Sequence, residues 1–148
     1  MGNRQLYERD FYAWANEQAG LLREGRLSEA DIEHIAEEIE SMGRSEKREL
    51  VNRMQVLLLH LLKWQRQPAF RCTSWRLTIE GQRNQLEDHL ADNPSLKSLI
   101  HQAVVAAYRN ALLDAARETG LDRGIFPVTC PWSLDQIMDS TFYPEATN

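Results

Sequence analysis

The stretch IEHIAEEIESMGRSEKRELVNRMQVLLLHLLKW, residues 32–64, decides the fold. On a wheel advancing about 100° per residue, Ile32, Ile35, Ile39, Met42, Leu50, Met54, Leu57 and Leu61 fall within one arc. That phase survives Gly43, where a true helix stop would scramble it. The spacing therefore predicts one long helix over about residues 29–64, kinked if anywhere near the glycine. The rival is a stop at Gly43 with Ser45 capping a new helix. A mid-helix glycine costs only about 1 kcal/mol relative to alanine, which favours the continuous helix. Gly43 falls inside the apolar stripe and is expected to be a packing point where another backbone approaches. From Val56 to Trp64 the helix is apolar on nearly every side, which places it at the centre of the fold.

The same wheel disperses the glutamates of EEIE. Glu37, Glu38 and Glu40 point in different directions and cannot form one acid–base pair. Glu37 and Glu40 read as a solvated face. Glu38, on the other flank of the stripe, is placed to pair with an arginine of a neighbouring helix.

Helical spacing continues on both sides, and strand signals are nearly absent. Asp10 is a good N-cap for a helix that ends at Gly25, and Ser28 reads as the cap of the long helix. Pro68 marks a loop. Thr73 or Ser74 is expected to cap a helix over about residues 75–91, and Pro94 breaks the chain after it. Ser95 is expected to cap an alanine-rich helix over about residues 96–119, which Gly120 terminates. An irregular segment follows, with a short helix near Ser133–Asp139 and exposed aromatics Trp132, Phe142 and Tyr143. Short connections favour antiparallel neighbours. The expected fold is all-α: an up-and-down bundle of about four main helices, in one domain over residues 1–148.

Composition agrees. The 148 residues are 43% hydrophobic and 26% charged, the balance of a globular chain rather than a disordered one. The longest apolar run, Val56–Leu62, falls far short of the roughly 20 residues a membrane span needs, and His60 interrupts it. The N-terminal MGNRQLYERDFY has no apolar core of a secretory leader, and Leu6 breaks the myristoylation pattern. Cys72 and Cys130 lack metal-type spacing and suit reduced thiols, so a cytoplasmic location is expected. The net charge of −5 is uneven. Residues 1–43 carry 4 basic and 10 acidic side chains, whereas residues 44–83 carry 9 and 3. The basic middle is either a nucleic-acid footprint, through Lys47, Arg48, Arg53, Lys63 and Arg71, or a region neutralised within the fold. No stacking aromatics are interleaved with it, which favours the second reading.

The series DFYAW, GRLSEADIEHIAEEIESMGRSEKREL, HLLKWQRQP, SWRLTIEGQR, NPSL, TGLDRGIFP, CPW and FYPE resembles the bacterial family catalogued as domain of unknown function 29. The likeness runs over about residues 7–145, with the motifs in the same order. It implies a small helical protein and brings no activity, cofactor or catalytic residue with it.

Polar residues inside apolar stripes are the remaining places for chemistry, because a buried polar group must find a partner. Glu46, His60, Gln82, Asn110 and Asp114 all lie in or beside such stripes. They are either satisfied bundle contacts or the lining of a pocket between helices. Arg76 and Arg83, one flank of a helix that also carries Glu80 and Glu87, read as a ladder of ion pairs. The alternative is an anion clamp completed by Lys63 and the first-turn amides near Trp75. A di-iron site would need Glu-x-x-His motifs. The chain has none, and Asp31-x-x-His34 is its nearest approach, so no metal or other cofactor is expected. Nucleophile elbows and phosphate-cradling glycine loops are absent. The expected function is a helical interaction or adaptor module acting on a protein partner or a second copy. Nucleic-acid binding through residues 44–83 and a small-molecule or hydrolytic pocket are the alternatives.

Overall fold

The computed structural model describes residues 2–147. They form six α-helices, and no strand occurs among the described residues. The helices are α1 (Gly2–Arg9), α2 (Phe11–Arg23), α3 (Ile32–Arg66), α4 (Thr73–Asp92), α5 (Ile100–Thr119) and α6 (Leu134–Met138). The all-α bundle read from the sequence is therefore the fold. Backbone contacts group the chain into two compact units, Met1–Ser45 and Glu46–Asn148.

The long helix is continuous through Gly43, as its apolar phase requires. Gly43 is not a packing point, however. It is exposed, and a Cβ placed there would meet nothing within 4 Å. The reason lies in the stripe itself. Its early members Ile32, Ile39 and Met42 are exposed, and full burial along α3 begins only at Leu50.

In the first unit, Asp10 caps α2 by accepting from the Ala13 amide at 3.1 Å. Gly25, at φ 72°, takes the left-handed conformation that ends the helix. α1 was not expected, since its residues carry no long apolar stripe. Ser28 does not cap α3. It sits in a 3-10 turn, Leu27–Glu29, and extended Ala30 separates that turn from the helix. Asp31 stands before α3 instead, and its carboxylate accepts from the His34 amide at 3.5 Å.

The second unit holds the main core. Leu50, Met54, Leu57, Leu58, Leu61 and Leu62 of α3 are fully buried, with Ile79 and Leu86 of α4 and Ala107, Ala111 and Ala115 of α5. Each buried leucine contributes about 1.5–3 kcal/mol of transfer free energy. The alanines present little side chain, which suits close helix packing. Gly120 ends α5 at φ 73° as expected. Neither Thr73, Ser74 nor Ser95 caps a helix. α4 starts one residue after Cys72 without a side-chain cap, and Pro94–Leu99 forms a 3-10 turn that delays α5 to Ile100. Ser133 does cap α6, exchanging hydrogen bonds with Gln136 in a capping box. The tail aromatics are not exposed. Trp132 is 8% exposed, and Phe142 and Tyr143 pack against the core.

Candidate functional site

A groove of about 670 Å³ lies along α5 in the second unit. Its wall is the helix face carrying Gln102, Val105, Arg109 and Leu112, residues three and four apart and therefore stacked on one side. Val128, Thr129 and Cys130 of the following irregular segment form the opposite lip. That segment is tied down locally. The Tyr108 hydroxyl donates to the Pro127 carbonyl at 2.6 Å, and the Asp122 carboxylate accepts from the Gly124 amide at 2.8 Å. Burial, helped by the nearby Cys130 thiol, pushes the Tyr108 hydroxyl pKa up to about 12, so it stays a donor.

The lining is largely apolar and open. Val105 is 72% exposed and Val128 90% exposed. Two guanidiniums, Arg109 and Arg123, line the same groove and have no carboxylate partner among the described residues. Cys130 brings no nucleophile to it. Burial pushes its thiol pKa up, and its Sγ faces the Trp132 carbonyl at 3.6 Å. The arrangement therefore offers apolar contact beside unneutralised positive charge.

None of the residues singled out by spacing is among those lining the groove; within the second unit Lys63 lies beside Trp75, and Arg76 and Arg83 share the Tyr143 ring. Glu38 meets no arginine among the described residues. It accepts from the Tyr7 hydroxyl at 3.0 Å, and Tyr7 stacks on the His34 ring at 4.0 Å. Asp31 and His34 hydrogen-bond each other at 2.7 Å, and Asp31 also accepts from the Trp14 indole at 3.1 Å. Burial pushes the Asp31 carboxyl up, but these donors outweigh it and hold the group below its usual range.

In the second unit His60 donates Nδ1–H to the Val56 carbonyl of its own helix at 2.8 Å. Asp114 accepts from Gln55 at 2.8 Å and also pairs with Arg117. Gln82 is half-buried with an unpaired Oε1, and Asn110 is exposed rather than turned to the core. Glu46 is also exposed. Its partner is His89, whose Nε2 reaches the Glu46 carbonyl at 2.8 Å.

Arg76 and Arg83 form no ion-pair ladder among the described residues. No ion pair joins either to Glu80 or Glu87 among the described residues. Arg83 is buried and donates to the Ile137 carbonyl at 2.7 Å and the Phe142 carbonyl at 2.8 Å. Arg76 stacks on Trp64 and Tyr143 at 5.4 and 5.3 Å. Lys63 pairs with Glu118 at 3.0 Å and lies over Trp75 at 4.7 Å. The basic region is thus partly neutralised inside the second unit. Arg53 pairs with Glu49 at 3.6 Å, and Arg71 donates to the Trp64 carbonyl at 2.8 Å. Lys47 and Arg48 have no partner among the described residues.

A family model matches residues 6–143. The chain belongs to DUF29, a domain of unknown function. It matches no curated protein and no solved structure. The match spans the N-terminal unit, the bundle and the irregular segment of this DUF29 chain, so it covers both lips of the groove. No helix among its described residues is long and apolar enough to cross a membrane. The groove residues escaped the sequence reading because nothing marks Arg109 and Arg123 as unpaired until the fold is known. The one visible signal was the TGLDRGIFP turn, which places Arg123 beside a tight loop.

Proposed function

We propose that this chain is a bacterial, cytoplasmic, non-catalytic interaction module, and that the α5 groove captures an apolar segment flanked by carboxylates on a protein partner. The observation that carries the reading is Arg109 and Arg123, without a carboxylate partner among the described residues, beside an open apolar lining in a protein of net charge −5. Unneutralised cations beside apolar surface suit an acidic, apolar partner and disfavour a basic one. The exposure of Val105 and Val128 favours a macromolecule over a small ligand, which is ordinarily enclosed over most of its surface. Free Cys72 and Cys130 suit a reducing compartment. The aromatic tail, by contrast, lends no support, because it is packed down.

The test uses fluorescent short peptides with two leucines one helical turn apart, flanked by glutamates, and lysine-flanked counterparts. Anisotropy should show saturable binding of the acidic peptide, weak binding of the basic one, and loss of the difference in an Arg109→Glu, Arg123→Glu double variant. Equal binding of both peptides, or binding unchanged in the variant, would overturn the reading. Light scattering on the chain alone shows whether a second copy is the partner. A dimer that the same variant dissociates would assign the groove to self-association.

A further inference from the structure

A second site lies away from the groove, where α3 faces α4 within the second unit. Glu46 and Glu49, three residues apart on α3, place one carboxylate oxygen each beside Nδ1 of His89 on α4. The distances from Nδ1 are 3.7 Å to Glu46 Oε2 and 2.6 Å to Glu49 Oε2. The three ligand atoms lie within 4.8 Å of one another.

His89 Nε2 is 2.8 Å from the Glu46 carbonyl, which only accepts, so Nε2 carries a hydrogen. In the neutral ring Nδ1 is then a bare lone pair, held on a residue only 6% exposed and aimed at two carboxylates. Nδ1 lies at hydrogen-bond distance from Glu49 but not from Glu46, because 3.7 Å is too long for one. An ion placed among these three atoms would be held by all of them.

We propose that Glu46, Glu49 and His89 bind a divalent transition-metal ion, with zinc as the best match. Imidazole nitrogen and carboxylate oxygen are both zinc donors, and a histidine that ligates through one nitrogen ordinarily donates the other N–H to a carbonyl or carboxylate. The Nε2 contact to the Glu46 carbonyl is that arrangement. Donor atoms of a tetrahedral zinc site stand about 3.4 Å apart. Small side-chain rotations of two half-exposed glutamates reach that spacing from 2.6 and 3.7 Å. Arg53 does not block the site, because it engages Glu49 through Oε1, not Oε2. Three protein ligands leave a coordination position on the exposed side for water or an external ligand. The ion would cross-link α3 to α4.

Calorimetric titration of the full chain with zinc should show a saturable site. Glu46→Gln and Glu49→Gln should each weaken binding at least as much as loss of an outer-shell partner does, about tenfold or more. Both positions are surface carboxylates, so the apo variants should keep their helical circular dichroism. Cobalt titration should give visible absorption bands in the wild type that the double variant lacks. No saturable zinc site, or a double variant that binds zinc as tightly as the wild type, would overturn the proposal.

Discussion

Asp31 shows how one side chain organises the first unit. It accepts from the Trp14 indole and from His34, and its amide donates to Gln18 Oε1 at 2.7 Å. Trp14 is buried, so losing the acceptor strands its N–H away from water. Asp31→Ala should destabilise the first unit by about 1–3 kcal/mol, read as earlier loss of Trp14 fluorescence change on urea unfolding. His60 predicts a pH effect. Burial, first, and the nearby Lys63 ammonium hold its pKa below the ordinary 6.5, against the opposing pull of the Val56 carbonyl and Glu118. Above pH 6.5 the ring is neutral in both states, so its contribution is complete. Below that, the unfolded chain takes up a proton that the folded one resists, and stability falls until the folded pKa is passed. His60→Gln should flatten this part of the stability profile relative to wild type, as measured by urea denaturation across pH.

At the scale of elements, Gly43 and Arg83 carry opposite lessons. Gly43 lies inside a continuous helix, with open space where a Cβ would go and no left-handed φ. Gly43→Ala should therefore stabilise the protein by about 0.5–1 kcal/mol, seen as a higher denaturation midpoint. Were a backbone packed there, the same change would destabilise it. Arg83 holds the C-terminal segment to α4 through two carbonyls, and the Tyr143 ring lies 5.5 Å from its guanidinium. Arg83→Met removes both hydrogen bonds and should cost about 2–3 kcal/mol, with faster amide exchange around Phe142 as the local sign. Helical periodicity could show that position 83 lies on a flank. It could not show that the flank meets main-chain carbonyls some 54 and 59 positions later in the chain.

For the whole molecule, burial is unequal between the two units. The large buried cluster runs from Leu50 to Ile137, whereas Trp14 is the one buried hydrophobic of the first unit among the described residues. Opening free energies follow buried apolar contact. Amides of α2 should therefore exchange with deuterium well before those of Leu57–Leu62, and equal protection in the two regions would contradict this account. The sequence by itself determined the all-α class, the continuity of α3 and the glycine ends of α2 and α5. These depend on periodicity and on the conformational range of single residues, both local properties. Caps failed where 3-10 turns intervened before the helix start, as at Ser28 and Ser95, because turn geometry depends on what the turn packs against. Tertiary structure alone decided which half of the α3 stripe is covered, that the tail aromatics lie against the core, and that Arg109 and Arg123 line one groove with Val105 and Val128. It also brought His89 to Glu46 and Glu49, two of which were visible as neighbours on one helix and the third only by folding. The physical reason is common to all of these. Periodicity states which side of a helix is apolar, but burial, pairing and ligand geometry are relations between segments far apart in the chain.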